Sequence, residues 1–366
     1  MEKVKIGVIG CGNISGAYFG NITGKMQGVC VDAVCELIPE RAQYAYDNYT
    51  IGRVISTDEL INDPEIQIVL NITTPPDHYA LCKQALLAGK SVHVEKPLSI
   101  EREQGRELVA IAQERALFLG CAPDTFLGGG IQTCRKLIDD GWIGTPICGS
   151  VSMICAGHEG WHPDPAFYYK KGAGPVFDMG PYYLTALVNL LGPVEYLYSD
   201  AKITYPVRTI TSEPKYGEKV EVEVPTHVTG ILSFKSGPVV TMTMSFDVWS
   251  AEQAHFDIYG TEGTLRVPDP NTFGGPVLIR RKGEKDWREI PLLFGYAENS
   301  RGVGLADMAR CIREGLPQGG NRCSGELAFH VLDIMCALHE GSPTGKKVKI
   351  KSTVKRPAPM DSTEVL

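Results

Sequence analysis

A lysine closes the apolar run Ser91-Val92-His93-Val94, inside the tripeptide Glu95-Lys96-Pro97. The carboxyl ends of parallel strands face the crevice in which doubly wound sheets hold ligands. Lys96 is therefore placed either to act on a ligand or simply to face water. Beside a nicotinamide its chemistry becomes specific. Oxidising an alcohol by hydride transfer requires removal of the hydroxyl proton, and a positioned lysine can take it. Burial and the positive charge of an oxidised nicotinamide would both push its pKa toward neutrality. Pro97 fixes the backbone that follows, and Glu95 stands ready to hold the lysine in place; both Glu95 and Lys96 count as cofactor-lining residues.

The place for such a cofactor is marked at the start of the chain. Val4-Lys5-Ile6-Gly7-Val8-Ile9 reads as a strand, followed by Gly10-Cys11-Gly12-Asn13-Ile14 and a helix. Gly10 permits a tight turn and Gly12 lets the backbone approach a pyrophosphate, while Ser15 takes the place where a third Gly or Ala is usual. Asn13 and Ile14 stand where the backbone N–H groups of the next helix meet phosphates. Glu36 ends the second strand, about where an acidic side chain bonds the adenine-ribose 2′-hydroxyl. A carboxylate there repels a 2′-phosphate, which favours NAD over NADP; the plainer reading is a solvated strand-end charge. Arg41 reads as a surface helix residue rather than a phosphate partner. Thr73-Thr74-Pro75-Pro76 lies at another strand end and suits two roles at once: lining the nicotinamide ribose, and starting a helix with threonine as cap and proline in the first turn. His78 falls in that first turn, facing the cofactor crevice or solvent.

A second cluster lies farther along. Trp161-His162-Pro163-Asp164-Pro165 precedes Phe167-Tyr168-Tyr169 and Gly172-Ala173-Gly174-Pro175. Rich in aromatics and proline, this loop suits a wall on which a sugar stacks. Asp178-Met179-Gly180-Pro181-Tyr182-Tyr183 then enters a helix, with Asp178 as expected N-cap. Asp178 and Tyr182 are four apart and share a helix face. Together they could grip vicinal hydroxyls, the phenol sharing in proton transfer; alternatively they are a cap and a core tyrosine. His158 and His162 are also four apart, near Glu159. Gly157, Gly160 and Pro163 argue against a helix there, and no metal is expected.

These residues need elements to carry them. Strand and helix signals alternate through the first third: Val29–Cys35, a helix from Pro39, Ile66–Ile72, a helix ended by Gly89, Ser91–Val94, a helix over about 99–116, and Leu117–Cys121. Near-continuous apolar strands alternating with helices mean a parallel sheet covered on both faces. The fold class is thus α/β: an N-terminal doubly wound domain over 1–122, then an α+β domain over 123–366. After a helix from about Ile131 to Asp140, period-two alternation spans Cys148–Cys155, Val220–Phe234, Val239–Phe246, Phe256–Tyr259, Thr264–Val267 and Val277–Arg281. These read as a large, mostly antiparallel open sheet, one face free for helices or another subunit. Helices are expected over Pro181–Leu191 and Gly325–His339. The lysine-rich Gly345–Lys351 reads as an edge strand blunted by charge, and the chain from Pro357 as frayed.

Composition limits what else the chain does. Its 366 residues exceed one ordinary core. A formal charge of −7, with no basic stripe, argues against nucleic acid. Eleven cysteines without paired spacing fit buried thiols of a reducing cytoplasm. Neither a leader nor a membrane-spanning run is expected.

Taken together, Gly10-Cys11-Gly12-Asn13, Glu95-Lys96-Pro97, Asp178-Met179-Gly180 and Gly302-Val303-Gly304-Leu305-Ala306-Asp307-Met308 resemble the Gfo/Idh/MocA family of oxidoreductases over nearly the whole chain. The resemblance implies a Rossmann domain, a C-terminal domain with a large open sheet, and homo-oligomers (dimer, tetramer or hexamer) assembled through that sheet. It implies bound NAD or NADP and oxidation or reduction of a hydroxyl on a sugar, inositol or related polyol. It makes Lys96 the motif lysine and Asp178 the aspartate of the Asp-x-Gly-x-His pattern. At the histidine position this chain has Tyr182, as do relatives resembling glucose-fructose oxidoreductase and dihydrodiol dehydrogenase. Lys96 with Tyr182 is then the first choice of proton carrier, with His162 as substitute acid/base or hydroxyl ligand. Asp124, Thr125 and Trp161 join Lys96, His162, Asp178 and Tyr182 around the substrate. The loop over 161–169 suggests a branch acting on glycosides, oxidising a glucosyl 3-hydroxyl of an O- or C-glycoside to a 3-oxo-glycoside. The alternatives are an inositol, polyol or dihydrodiol dehydrogenase, a sugar oxidoreductase that never releases its cofactor, and a non-catalytic NAD sensor.

Overall fold

The structure, a computed structural model, describes residues 3–250 and 256–366. Six short strands form its first sheet: β1 (Val4–Ile9), β2 (Val29–Cys35), β3 (Ile51–Val54), β4 (Ile68–Asn71), β5 (Ser91–Val94) and β6 (Leu119–Cys121). Their order is β3-β2-β1-β4-β5-β6, and every pairing is parallel. That order reverses beside β1, the topological switch at which such sheets bind ligands. Between the strands run α1 (Ser15–Gly24), α2 (Pro39–Asn48), α3 (Thr57–Asn62), α4 (Pro75–Leu87) and α5 (Arg102–Glu114). β4 and β5 are buried along their whole length, as strands covered on both faces must be. Cys82, Ala85 and Leu86 of α4 and Leu108 and Ala112 of α5 close one core with Val69, Val92 and Val94. The alanines keep these helices close to the sheet, and each fully buried valine or leucine contributes about 1.5–3 kcal/mol.

The later part of the chain holds α6 (Gly129–Asp139), β7 (Pro146–Ile154), α7 (Gly174–Asp178), α8 (Gly180–Leu191), β8 (Val194–Lys202), β9 (Val207–Thr209), β10 (Lys219–Glu221), β11 (His227–Phe234), β12 (Val239–Ser245), β13 (Phe256–Gly260), β14 (Gly263–Arg266), β15 (Val277–Arg281), β16 (Arg288–Ile290), α9 (Val303–Arg313), α10 (Gly325–Gly341) and β17 (Val348–Lys349). A nine-stranded sheet runs β16-β15-β14-β13-β7-β12-β11-β8-β17, antiparallel except for the β7–β12 pair. The alternation in β11 buries Val228, Gly230, Leu232 and Phe234. At Gly230 an added Cβ would lie 2.7 Å from Leu338 of α10, so the missing side chain admits that helix to the sheet. The opposite face carries Tyr198, paired with Ile231, and Val239, all exposed.

Three expectations change. The stretch Val220–Phe234 is not one strand. Its start is β10, which pairs only with β9 in a separate ribbon, and the main sheet resumes at His227, beyond Pro225. The lysine-rich tail does supply an edge strand, but only two residues long. The end of the chain is docked rather than frayed: Met360 and Leu366 are buried, and Glu364 binds both Arg310 and Arg322. The chain divides into two compact units. One unit runs to Gly128 and then takes in Phe294–Phe329 and Met360–Leu366; the other comprises Gly129–Leu293 and His330–Pro359. Asp124 shows why: its Oδ2 accepts the Gly302 and Gly304 N–H groups at 2.7 and 3.1 Å, anchoring the start of α9.

Candidate active site

In the first unit the glycine turn follows β1. Gly10 has φ +102°, and a Cβ there would meet the Ile72 carbonyl oxygen at 3.0 Å. Both facts require glycine. Gly10→Ala is expected to lower stability by roughly 1–2 kcal/mol and to weaken dinucleotide binding, read by thermal melts with and without NAD. At Gly12 an added Cβ would meet nothing within 4 Å, so the backbone there borders open space. No side chain caps α1 at Ile14, which leaves the amide end of the helix available to an anion. Glu36 accepts the Cys11 N–H at 2.7 Å and the Ile38 N–H at 3.1 Å, so the carboxylate is fixed against the turn itself. An open glycine backbone, an uncapped helix start and a fixed carboxylate at the next strand end together fit a dinucleotide.

Side chains stitch the other strand ends to this turn. Tyr18, buried on α1, donates its hydroxyl to Glu95 at 2.7 Å, and the other Glu95 oxygen accepts the Lys96 N–H at 2.9 Å. Glu95 thus holds the lysine by its backbone. Sequence reasoning did not single out Tyr18; its signal is a phenol on the sheet-facing side of a helix, where a buried hydroxyl needs a partner. Asn71, also unremarked, accepts both the amide and the hydroxyl of Thr73. Thr74 occupies the N-cap of α4 with Pro75 following, but its hydroxyl donates to Asp77 instead of accepting a helix amide.

His78 faces neither open crevice nor solvent. It is fully buried, with Nδ1 2.7 Å from the Pro97 oxygen and Nε2 3.2 Å from the Thr73 oxygen. Burial lowers its pKa, against the two carbonyls and the nearby Glu95 and Asp77. As a neutral ring it donates to one carbonyl only, and the shorter contact makes that Pro97. His78 is therefore a tie between the β4 end and the lysine loop. His78→Ala is expected to lower kcat several-fold while leaving the NAD dissociation constant nearly unchanged, measured by stopped-flow turnover and titration.

Asp124 and Thr125 are both buried in this unit. Burial raises the Asp124 carboxyl to about 6, against the Gly304 and Gly302 amides that bind it. Its geometry is that of an anchor for α9 rather than an exposed sugar ligand.

In the second unit, the loop between β7 and α7 packs its aromatic side chains together. His158 stacks on Tyr168 with centroids 3.7 Å apart and meets Phe246 edge-on at 4.5 Å. Its pKa is lowered by burial, opposed by Asp178 and Glu159, which places the Asp178 carboxylate within electrostatic reach of the ring. His162 meets Trp161, Phe167 and Tyr168 edge-on. Its Nδ1 accepts the Asp164 N–H at 3.0 Å, so in the neutral ring Nε2 carries the proton. That tautomer suits holding a hydroxyl oxygen better than removing its proton. Trp161 is largely exposed.

Asp178 is not an N-cap. The helix begins earlier, at Gly174-Pro175, making Asp178 the last residue of α7; α8 starts from Met179 without a side-chain cap. The Met179 backbone stays helical, so half-buried Asp178 and buried Tyr182 still succeed each other by one turn. Among the described residues no group of three or more His, Cys, Asp or Glu side chains could hold a metal ion.

Residues 4–121 match the oxidoreductase family with NAD-binding Rossmann fold, and residues 131–266 match the GFO/IDH/MocA C-terminal domain. The chain belongs to the Gfo/Idh/MocA family. Among its relatives is inositol 2-dehydrogenase of Burkholderia ambifaria, 24% identical over 78% of this chain and 81% of that protein. Another is 1,5-anhydro-D-fructose reductase of Ensifer adhaerens, 27% identical over 78% of this chain and 82% of its own. Levoglucosan dehydrogenase in complex with NADH and L-sorbose shares the fold with TM-score 0.80, at 20% identity over 96% of this chain and 99% of that one. As a Gfo/Idh/MocA member the protein is an oxidoreductase with an NAD-binding Rossmann unit. No helix among the described residues is long and apolar enough to cross a membrane.

Proposed function

We propose that this protein is an NAD-dependent dehydrogenase acting on a secondary hydroxyl of a sugar or glycoside, with Lys96 as the proton carrier. The observation that carries this reading is Lys96 at the end of β5, held through Glu95 to the helix that follows the glycine turn. Bound NAD supplies the acceptor for the hydride. Lys96 takes the hydroxyl proton as the carbon gives up its hydride, and Glu95, Tyr18 and His78 keep the lysine loop in place. Asp178 and Tyr182 orient the sugar, Tyr182 sharing the proton relay, and the His162 Nε2–H and Trp161 hold a hydroxyl and a ring face. Thr73, Thr74, Asn13 and Ile14 border the cofactor, and Thr125 lies next to the anchored Asp124. Relatives named for inositol, anhydrofructose and levoglucosan chemistry support a polyhydroxy substrate. The glucosyl 3-hydroxyl of an O- or C-glycoside is the finer assignment, supported by the aromatic loop.

NAD is favoured over NADP because the Glu36 carboxylate, fixed by two amides, would repel a 2′-phosphate. Glu36→Ala is expected to weaken NAD binding about ten-fold, the scale of a hydrogen bond to a charged group, and to narrow the NAD/NADP preference; fluorescence titration of both reduced cofactors checks it. The exposed face with Tyr198, Ile231 and Val239 supports a homo-oligomer assembled through the large sheet, and a cytoplasmic location accords with eleven free cysteines. A screen of pyranosides, glycosides and polyols with NAD, followed by absorbance of the reduced cofactor, tests the assignment. Binding of NAD with no turnover across such a panel would refute it.

A further inference from the structure

We propose that a pocket in the second unit, walled by Tyr205, Trp249 and Phe246, receives the aromatic aglycone of an aryl glycoside. This rests on the sugar and glycoside reading above and names the substrate class within it. The pocket has room for about 210 Å³ and lies beside the loop that carries His158 and His162, sharing Glu159 and Phe246 with it. Tyr205, Val207 and Trp249 are all exposed there, Trp249 by 85%. Large apolar side chains grouped in water around a concavity mark a surface built to be covered.

The polar side of the pocket decides what covers it. Arg208 is almost wholly buried, its guanidinium carbon 5.0 Å from the Tyr169 ring centre and 5.3 Å from that of Tyr205. It donates to Glu159 at 2.5 Å, to the Phe246 carbonyl at 3.1 Å, and to Asp247. Glu159 also accepts the Tyr169 hydroxyl and, at 3.0 Å, the His158 N–H; the second oxygen of Asp247 accepts the Thr226 hydroxyl at 2.8 Å. Gly157 makes room for this network, since a Cβ there would stand 2.5 Å from Glu159 and 2.6 Å from Arg208. One guanidinium against two carboxylates leaves the wall net negative, so an anion is disfavoured. The carboxylate oxygens already have donors, so a second sugar would find few acceptors for its hydroxyls. What remains open to a ligand is a pair of aromatic side chains, the exposed Tyr205 and Trp249. A flat aryl ring, which carries no charge and stacks on aromatic side chains without asking for hydrogen bonds, suits that wall.

The test compares the full-length protein with its Trp249→Ala and Tyr205→Ala variants. Phenyl and methyl β-glucopyranoside are assayed with NAD, and free phenol is followed by saturation-transfer NMR. The expected result is a kcat/KM for the phenyl glycoside about ten-fold above that for the methyl glycoside, the scale of one aromatic contact. In both variants the excess disappears through KM, and phenol binding weakens by a similar factor. If both variants keep the phenyl-to-methyl ratio and bind phenol as before, the pocket assignment is overturned while the dehydrogenase reading stands. If neither glycoside turns over, yet phenol binds and Trp249→Ala releases it, the aryl site is upheld and the sugar assignment falls.

Discussion

Lys96→Ala is expected to lower turnover by about 10²–10⁴-fold, the usual contribution of general acid–base catalysis, while leaving the dissociation constant for NAD little changed. The separation follows from where the lysine sits. The anchors proposed for the cofactor are backbone groups of the glycine turn and the Glu36 carboxylate, just beyond β1 and β2, whereas Lys96 follows β5 and is held through Glu95. Lys96→Arg should not rescue activity. A guanidinium remains protonated throughout the working pH range and cannot accept the hydroxyl proton, although it restores charge and length. Glu95→Gln should fall between wild type and Lys96→Ala, because the amide still accepts one hydrogen bond but no longer carries the charge that Tyr18 and the Lys96 amide share. Turnover with the true substrate, NAD titration and a pH–rate profile for each variant decide the matter. Near-normal turnover in Lys96→Ala would remove Lys96 from the mechanism.

The second large effect concerns stability and pH. The Asp124 carboxyl stands at about 6 in the folded chain, above the ordinary aspartate value of 3.8, chiefly because it is buried. A group that binds its proton more tightly when folded makes folding more favourable as pH falls. Above about pH 6 the folded protein holds a desolvated carboxylate. Between that value and pH 4 the group takes up a proton and the penalty disappears. The difference of about two pH units corresponds to roughly 3 kcal/mol. Asp124→Asn keeps an oxygen for the Gly302 and Gly304 amides but removes the titration. Its stability relative to wild type should therefore fall by roughly 3 kcal/mol between pH 7 and pH 4, measured by denaturant unfolding of both proteins at each pH. A constant difference across that range would show that Asp124 does not titrate as its surroundings require.

Much of the first sheet could be read from the residues because burial on both faces leaves an unbroken apolar run. Val4–Ile9, Val29–Cys35 and Ser91–Val94 have the ends that the sequence suggests. β3 gave no such signal: only Ile51 of its four residues is buried, as befits an edge strand. α3 carries a legible start in Ser56-x-x-Glu59, whose reciprocal capping bonds both form, yet at six residues it has too few turns for a periodic pattern. Asp178 misled because an acidic residue before Gly-Pro resembles a cap; the earlier Gly174-Pro175 was the true start. The placement of the glycine turn, Glu36 and Lys96 just beyond strand ends was legible because local pattern fixes those ends. The Glu159–Arg208–Asp247 cluster was not, since its members lie 49 and 39 positions apart and meet only once the β7, β9 and β12 ends are assembled. The same holds for Asp124, whose partners are 178 and 180 residues away.

The return of late segments to the nucleotide-binding unit bears on how the chain is made. Arg310 and Arg322 flank buried Asp307, and both also bind Glu364. During synthesis the six-stranded sheet can form early, but Asp124 must wait 178 residues for Gly302 and the start of α9, and Arg310 and Arg322 wait for Glu364. A ribosome therefore carries a half-finished nucleotide-binding unit while the whole of Gly129–Leu293 is made, and a unit that begins folding early is closed only after that stretch.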